Sequence, residues 1–553
     1  MIALLLTNRA TASQFAFQIT FTDKNNTPYS LSDPLVYLSS RALARRSIQG
    51  IAIDSTDLPV NQTYVDSVLV LTGPGSVLHE TSRWLNMCMI LLPDSASILN
   101  LAGKSFISNI TLVGYYATDL HRNSATTGTS SNAAPAKRTT NTDSDYYGDT
   151  WLQTLMVNGN FLNDNGYKGE GKLIAVLDAG YIGTNTLPGF DSMWFSGRVV
   201  DMYDFTFRNT EVFLQADHGT EVLSTMAGYV PDTFVGTAPF AMYALYVSEY
   251  NPDDQPLELD NMICASERAD SLGADVITES LGYDIFDYPP GSGQVFATDL
   301  DGKTTVAAKA ANIATKKGML FVATAGNDGS PISGWGNHIM TPGDADSALT
   351  IGSVDGSEDA SSFSGYGPNA AGQIKPDVCG MGEGAYTFSS GGGYTTPAGT
   401  SISTPQIAGW AACLWQANPN ATPYQIRQAI IKCANHYSDP GPQLGYGVPN
   451  FQCTEQALNV KDTPPPFSKT IWVIAAPNPF SDEIKLLVSP NESQDVQFTI
   501  VDMTGKEVAS LQLFLYQGYN TPITIPAQEL PAGIYILKAV STTQEQVVKL
   551  EKS

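Results

Sequence analysis

The sequence predicts an α/β protein whose main domain is a mostly parallel β-sheet with helices on both faces. Between residues 146 and 460, continuous apolar runs such as Lys172–Leu177, Ala274–Thr278 and Met319–Ala323 alternate with helical patterns. Strands that are buried on both faces of a parallel sheet have this composition, because neither face meets water. The flanking regions differ from this pattern, and 553 residues are too many for a single hydrophobic core.

The two flanking regions predict two smaller domains. Residues 14–121 alternate strand-like and helix-like segments, which is typical of a small α+β unit. Residues 470–553 carry short alternating segments separated by turn signals, among them Asn478-Pro479 and Thr504-Gly505-Lys506. Many short strands with such turns predict a C-terminal β-sandwich.

Polar segments separate the three units. Residues 122–145 contain no Val, Ile, Leu, Met, Phe, Trp or Tyr, so they cannot contribute to a core and are interpreted as a linker. Residues 461–469, with a Thr-Pro-Pro-Pro run, form the second linker. Residues 1–13 hold a short apolar stretch and an Ala-x-Ala pattern, and we interpret them as the remnant of a signal peptide, with a frayed terminus as the alternative.

Composition argues against several classes of partner. A net charge of −25 is unfavourable for binding nucleic acid or an anionic membrane, since both are bound by clustered Lys and Arg. No run of about 18 apolar residues is present, so no transmembrane helix is expected. The six cysteines contain no Cys-x-x-Cys pair, which argues against zinc-ribbon and thioredoxin-like sites. Cys433 and Cys453 flank one short segment and could pair in an exported protein, but their spacing alone leaves this open.

Three residues of the central region occupy positions suited to catalysis. Asp178 ends an apolar strand, and the carboxyl ends of strands line the crevice where α/β proteins bind ligands. His218 begins a predicted helix and is one of three histidines in this region. Ser401 begins another helix, in Gly-Thr-Ser-Ile-Ser-Thr-Pro. Each residue alone is explained equally well or better as a helix cap or a structural group.

Taken together, the three residues predict nucleophilic catalysis. A serine hydroxyl is a weak nucleophile that needs an imidazole base, and the imidazole needs a carboxylate that fixes its tautomer. The chain order Asp, His, Ser is that of subtilisin, and Ser403 stands where the Gly-x-Ser-x-Gly elbow of α/β-hydrolases has its second glycine. An esterase of that class is therefore disfavoured. Activity is expected to rise between about pH 6 and 8 as His218 loses its proton.

The segments around these residues resemble the signature segments of the subtilisin-like serine peptidases. They are Val-Leu-Asp178-Ala-Gly, His218-Gly-Thr-Glu-Val and Gly-Thr-Ser401-Ile-Ser-Thr-Pro. Further segments match in the same family: Ser280–Gly282, Ala323–Asp328, Ser361–Gly367 and Lys375–Asp377. The resemblance spans about residues 150–455. It implies a subtilisin-like fold and a secreted serine endopeptidase that works through an acyl-enzyme and requires no cofactor for its chemistry.

The same resemblance assigns roles to individual residues. It makes Asp178, His218 and Ser401 the catalytic triad, and Asn327 the side-chain donor to the oxyanion. It also implies two segments that pair with an extended peptide substrate, formed by Ser280, Leu281 and Gly282 and by Thr324, Ala325 and Gly326.

Some features depart from the family pattern. Glu279 lies in the substrate strand, where an apolar or neutral residue is expected, and Met340 stands where the primary specificity pocket usually has a small residue. Insertions at 251–260 and 283–301 border the predicted cleft, so substrate preference stays open. Structural calcium, which the family often binds, is a further expectation for the acidic stretch Asp299–Gly302 and the first insertion, but the ligand spacing is incomplete and solvated acidic loops are the alternative.

The flanking domains have resemblances of their own. Residues 14–121 resemble the inhibitory propeptide of such enzymes, which implies a zymogen matured within residues 122–145. The tail resembles the C-terminal sorting domain of proteins exported by the type IX system, in Ala476–Phe480, Val501–Lys506 and Leu530–Leu537. It implies the export machinery as a partner and a secreted or cell-surface location in a Gram-negative bacterium.

Two alternatives from other functional classes stay open. The tail could be an ordinary accessory β-sandwich that binds carbohydrate. The central domain could be a catalytically inactive scaffold of the same fold that binds peptides or glycans.

Overall fold

The computed structural model describes residues 13–117, 143–249, 254–284, 286, 297–329, 338–459, 472–475, 480–489, 494–515, 523–541 and 545–552. The predicted signal-peptide remnant and both linkers lie almost entirely outside these residues. The chain divides into two compact units, Met1–Asn459 and Val460–Ser553, which are described separately.

An antiparallel sheet with two helices forms the N-terminal part of the first unit. Its order is β2-β3-β1-β4, so the first strand lies between the third and the fourth. Both helices begin at a side-chain cap, from Ser39 and Asn61 respectively. The elements are β1 (Ser13–Phe21), α1 (Ser40–Ile48), α2 (Gln62–Thr72), β2 (Val77–Ser82), β3 (Met87–Leu92) and β4 (Ile107–Ala117).

A seven-stranded parallel sheet forms the centre of the first unit, and the α/β prediction is confirmed. Its order is β13-β12-β11-β10-β5-β9-β6. Two short hairpins, β7 with β8 and β14 with β15, lie outside it. The strands are β5 (Leu173–Asp178), β6 (Val199–Asp204), β7 (Tyr229–Val230), β8 (Phe234–Val235), β9 (Met242–Val247), β10 (Val276–Glu279), β11 (Leu320–Thr324), β12 (Leu349–Val354), β13 (Val378–Met381), β14 (Thr387–Phe388) and β15 (Tyr394–Thr395).

Helices cover both faces of this sheet. One core cluster joins the sheet to α7, α10 and α11, and a second joins it to α8 and α9. Apolar side chains therefore leave both faces of the central strands, as the continuous apolar runs require. The helices are α3 (Asp143–Tyr147), α4 (Trp151–Leu155), α5 (Asn160–Asp164), α6 (Asp191–Phe195), α7 (His218–Ala227), α8 (Pro256–Leu272), α9 (Val306–Lys316), α10 (Thr400–Ala417), α11 (Pro423–Lys432) and α12 (Phe451–Asn459).

The N-terminal sheet packs on α8. Ala16, Met87 and Met89 of that sheet and Trp84 of the turn between β2 and β3 join the same core cluster as Met262 of the helix. The N-terminal part also forms buried ion pairs from Arg45, Arg46 and Arg83 to one carboxylate of α8, that of Asp270. This interface is the contact between the predicted propeptide and the central domain.

Strand order places a crevice at the carboxyl end of β5. The chain leaves β5 toward β9 and β6 on one side, and the later strands β10 to β13 add on the other side. Such a reversal of strand order opens a crevice outside the carboxyl ends of the strands, where α/β proteins bind ligands. The predicted catalytic aspartate ends β5 at this point.

Two antiparallel sheets form the second unit. One has the order β16-β17-β20 and the other β19-β18-β21-β22. Their inward side chains share one core, so the unit is the β-sandwich that alternation predicts. A disulfide between Cys433 and Cys453 belongs to the first unit. The strands are β16 (Trp472–Ala475), β17 (Glu483–Ser489), β18 (Gln494–Asp502), β19 (Glu507–Leu515), β20 (Ile523–Pro526), β21 (Gly533–Val540) and β22 (Glu545–Lys552).

Candidate active site

Asp178 and His218 form a hydrogen-bonded pair at the crevice. Asp178 is fully buried at the end of β5, and its Oδ1 lies 2.8 Å from Nδ1 of His218, the first residue of α7. The same oxygen accepts a hydrogen bond from the N–H of Ala179 at 2.8 Å. A carboxylate in this position makes Nδ1 the protonated nitrogen and leaves Nε2 free to accept a proton.

Carboxylates surround the imidazole and change its affinity for protons. Burial alone lowers the pKa of His218, but the charge and hydrogen bond of Asp178 and the charges of Glu249 and Glu221 together raise this pKa to about 9. The sequence interpretation missed both glutamates. Glu249 lies two residues beyond the end of β9, near the same edge of the sheet as Asp178 at the end of β5, so the rule that finds Asp178 could have found it. Glu221 lies one turn after His218 in α7.

Ser401 lies in the first turn of α10 and is nearly buried. In an unbroken helix its carbonyl would accept the N–H of residue 405, but Pro405 has no N–H. The carbonyl instead accepts a hydrogen bond from Oγ of Ser280 at 3.0 Å. The Ser-x-x-x-Pro spacing thus ties the helix start to the end of β10. Among the described residues, Ser401 Oγ and the His218 ring form no hydrogen bond, a separation common in enzymes without bound substrate.

Asn327 is oriented by the residue before the serine. Its Oδ1 accepts hydrogen bonds from the N–H and the hydroxyl of Thr400, both at 2.9 Å. A Cβ atom added to Gly399 would lie 2.9 Å from Ser401 Oγ and 3.6 Å from Asn327 Nδ2, so these two groups face the same small space. Thr400 is a positioning residue that the sequence interpretation did not identify, although it stands inside the signature segment.

The two predicted substrate segments end neighbouring strands. Ser280–Gly282 follows β10 and Thr324–Gly326 closes β11, and these strands pair in register. Within the described part of the chain, the main-chain groups of Leu281 and Gly282 take no hydrogen bond. They present an unpaired edge to which an extended peptide can add.

Glu279 is fully buried behind the substrate segment. Neither of its carboxyl oxygens has a hydrogen-bond partner among the described residues. Burial, with the charges of Glu249 and Asp178, raises the pKa of this carboxyl well above its usual range. Burial thus favours the uncharged form of this carboxyl, which suits a position where an apolar or neutral residue is expected.

The other two histidines of the central domain lie elsewhere. His338 Nε2 is 2.8 Å from Asp284 Oδ2, and His436 follows α11. Neither pairs with Asp178. The structure thus brings together Asp178 with His218, and Ser401 with Asn327 and Ser280.

No helix among the described residues is both long and apolar enough to span a membrane.

Comparison with protein families assigns each part of the chain. Residues 169–448 match the Subtilase family, residues 16–131 match the Peptidase S8 propeptide domain of Bacteroidota, and residues 475–552 match the Secretion system C-terminal sorting domain. The propeptide and sorting domain indicate a zymogen that is secreted or displayed at the cell surface of a Gram-negative member of the Bacteroidota.

Curated relatives are similar over the central region. Subtilisin DY of Bacillus licheniformis is 27% identical over 303 residues, which cover 54% of this chain and 97% of that protein. Subtilisin E of Bacillus subtilis (strain 168) is 30% identical over 298 residues, or 53% and 68% of the two chains. A thermophilic serine proteinase of Bacillus sp. (strain AK1) is 30% identical over 281 residues, or 50% of this chain and 60% of that protein.

Two proteases are among the solved structures to which this chain is similar. The Prenylagaramide maturation protease PagA is 22% identical, with a TM-score of 0.43 over 54% of this chain and 98% of that chain. MycP1 with its N-terminal propeptide removed is 21% identical, with a TM-score of 0.44 over 55% and 96%. On the family match and the curated relatives, the chain belongs to the subtilase family of serine endopeptidases.

Proposed function

We propose that the protein hydrolyses peptide bonds through an acyl-enzyme on Ser401, with His218 as the base, Asp178 as its partner and Asn327 as the oxyanion donor. The 2.8 Å hydrogen bond between His218 Nδ1 and the buried Asp178 is the observation that carries this proposal. A fully buried carboxylate on the imidazole has little structural value alone, because burying charge is costly. Its cost is explained if the imidazolium it stabilises forms during catalysis.

The first half of the reaction forms the acyl-enzyme. Ser401 Oγ attacks the substrate carbonyl while His218 Nε2 takes the hydroxyl proton. The carbonyl oxygen becomes negative and is met by the Ser401 N–H and by Nδ2 of Asn327. His218 then passes its proton to the amine of the scissile bond, the C–N bond breaks, and the amine product leaves.

The second half regenerates the serine. A water molecule gives its proton to His218 Nε2 and attacks the acyl carbon, and the same two donors stabilise the second oxyanion. The bond from carbon to Ser401 Oγ breaks, and Oγ recovers the proton from His218. In enzymes of this family, loss of the side-chain oxyanion donor lowers kcat about 100- to 1,000-fold. Thr400 holds Asn327 in place, so its substitution is expected to act through the same step.

Substrates are proposed to be proteins or peptides in extended form. The unpaired edge at Leu281 and Gly282 supplies main-chain hydrogen bonds, which are independent of substrate sequence. The segment Thr324–Gly326 lies on the adjacent strand and completes the site. Side-chain pockets then supply selectivity.

The propeptide domain is proposed to inhibit the enzyme until the chain is cleaved between Leu120 and Asp145. This interval is nearly all outside the described residues, and residues 122–145 lack the large apolar side chains that would anchor them. The same proposal divides this part of the chain into a propeptide domain at residues 14–121 and a peptidase domain at residues 146–460. The sorting domain is proposed to engage the export machinery.

Calcium is the one ion expected from the family resemblance. Among the described residues, no group of three or more His, Cys, Asp or Glu is arranged to hold a metal ion. Asp301 accepts hydrogen bonds from the N–H groups of Lys303 and Thr304, so its carboxylate closes a local turn. Structural calcium stays an expectation for this stretch and for the insertion at 251–260, of which residues 251–253 lie outside the described residues, and no step depends on it.

Covalent labelling with a fluorophosphonate tests the proposal. The matured wild-type protein should be labelled at Ser401, and Ser401→Ala should lose both the label and peptide hydrolysis. Ser403→Ala is the matched control, because Ser403 lies in the same turn but donates its hydroxyl hydrogen bond to main-chain carbonyls. If folded, matured wild-type protein is not labelled, the protein is an inactive scaffold.

A further inference from the structure

Met340 lies between the two segments proposed to bind substrate. A Cβ atom added to Gly282, at the end of one segment, would lie 2.9 Å from Met340 Sδ. A Cβ atom added to Gly326, at the end of the other, would lie 2.5 Å from Met340 Cγ and 2.6 Å from Sδ. The methionine side chain is therefore in direct contact with both glycines. It fills the gap between the segments.

Main-chain hydrogen bonds fix the position of Met340. Its N–H donates to the carbonyl of Ala325 at 3.1 Å, and its carbonyl accepts from the N–H of Asp344 at 3.2 Å. The next residue, Thr341, exchanges two hydrogen bonds with Tyr283, at 2.9 and 3.1 Å. Residues 340 and 341 thus bridge the two substrate segments from behind. Moving the methionine backbone would break bonds to both.

Rotation of the side chain cannot empty the gap completely. Methionine is adaptable, and Met340 is only partly buried, so its outer atoms have room to turn. Its Cβ, however, lies 3.0 Å from both added Cβ positions, on Gly282 and on Gly326. Rotation about the side-chain bonds does not move Cβ. The inner part of the obstruction is as rigid as the backbone.

The gap lies where the substrate residue before the scissile bond must place its side chain. In the acyl-enzyme the carbonyl carbon is bonded to Ser401 Oγ and its oxygen points to Asn327, which directly follows Gly326. The other segment begins at Ser280, which is hydrogen-bonded to the Ser401 carbonyl. The acyl residue is therefore held between the two segments, and its side chain extends from there into the gap.

We propose that Met340 is a specificity-determining residue that restricts the position before the scissile bond to small side chains, namely those of Gly, Ala and Ser. The proposal rests on the proposed function, because it assumes acylation of Ser401. A phenylalanine or leucine side chain would need the volume that the methionine occupies. The resulting enzyme cleaves after small residues and discriminates against large apolar ones.

Two p-nitroanilide peptides that differ only in the last residue, alanine or phenylalanine, test the proposal. The measured quantity is the ratio of kcat/KM for the alanine peptide to kcat/KM for the phenylalanine peptide. Wild-type enzyme should favour alanine at least about 10-fold, and Met340→Ala should lower this ratio about 10- to 100-fold, the range expected when a hydrophobic pocket gains the volume of a few methylenes. Met340→Leu, which nearly conserves volume, should keep the wild-type ratio.

Fluorophosphonate labelling of each protein separates this proposal from the proposed function. Labelled wild-type enzyme that cleaves the phenylalanine peptide as well as the alanine peptide would overturn the role of Met340 alone. An unchanged ratio in labelled Met340→Ala would do the same. Absence of label on folded wild-type protein would overturn both. If Met340→Ala does not fold, the residues preceding the cuts that wild-type enzyme makes in a denatured proteome decide the question, since a majority of large residues there contradicts the proposal.

Discussion

The substitution Asp270→Asn should lower the affinity of the propeptide for the enzyme. Asp270 of α8 is fully buried and receives three guanidinium groups of the propeptide: Arg45 at 2.5 Å, Arg46 at 2.7 Å and Arg83 at 2.9 Å. These cations are at most 8% exposed in the complex. An asparagine has nearly the same shape but carries no charge, so the substitution would leave the three cations buried with less compensation.

The size of the loss in affinity depends on the partners that each arginine keeps in the variant. Removing one partner of a buried ion pair costs about 3–5 kcal/mol. In the variant, the Arg46 guanidinium still pairs with Asp57 at 2.8 Å. Arg83 still donates its main-chain N–H to the carboxylate of Glu267, and its guanidinium lies 3.9 Å from the same carboxylate. The lower end of this range therefore applies to Asp270→Asn. A loss of about 3 kcal/mol in the free energy of propeptide binding corresponds to an inhibition constant about 100-fold higher. Charge on Arg45, Arg46 and Arg83 also lowers the pKa of Asp270 against the effect of burial. This contribution to affinity is present above the ordinary pKa of an aspartate and is lost only as pH falls through the lowered value.

The assay is inhibition of matured enzyme by separately added propeptide, followed with a peptide substrate. Asp377→Asn is the matched control, because Asp377 is equally buried and paired with Lys375 and Arg427, both in the peptidase domain. That variant should have a lower Tm but an unchanged inhibition constant. An inhibition constant for Asp270→Asn within threefold of wild type would refute the reasoning.

Two further predictions concern the active enzyme. The acid limb of the kcat/KM profile should have its midpoint near pH 9, the pKa of His218, because only the neutral imidazole accepts the serine proton. Glu249→Gln should move this midpoint to lower pH, because it removes one of the charges that raise the pKa of His218. An unchanged midpoint in this variant would contradict the role of Glu249. N-terminal sequencing of active enzyme should find a first residue between Leu120 and Asp145, and full activity in a form that begins well before residue 118 would contradict inhibition by the propeptide.

The sequence predicts the fold and most of the site because the relevant signals are local. A strand that ends at Asp178, a helix that begins at His218 and a Ser-x-x-x-Pro helix start at Ser401 can each be recognised within a few residues. Pairing of strands then brings their carboxyl ends to one edge. The same logic applies to Ser280, which follows the neighbouring strand.

Contacts between distant segments could not be predicted in this way. Met340 is recognisable as an unusual residue, but only the structure shows it against both Gly282 and Gly326. The range of about pH 6 to 8 follows from an ordinary histidine and takes no account of the carboxylates around His218. The carboxylates that raise the pKa of His218 to about 9 come from three different elements or connections.

Glu249 and Glu279 illustrate how environment decides the role of one residue type. Glu279 is fully buried without a partner among the described residues, so protonation costs less than burying its charge, and its pKa is raised well above the usual range. Glu249 is only partly buried, and burial with the charges of Asp178 and Asp254 raises its pKa to about 7. As pH rises, Glu249 therefore becomes charged before His218 loses its proton. The new negative charge raises the affinity of the imidazole for that proton. At the catalytic base the charge of Glu249 thus adds to those of Asp178 and Glu221, whereas burial behind the substrate strand favours the uncharged form of Glu279.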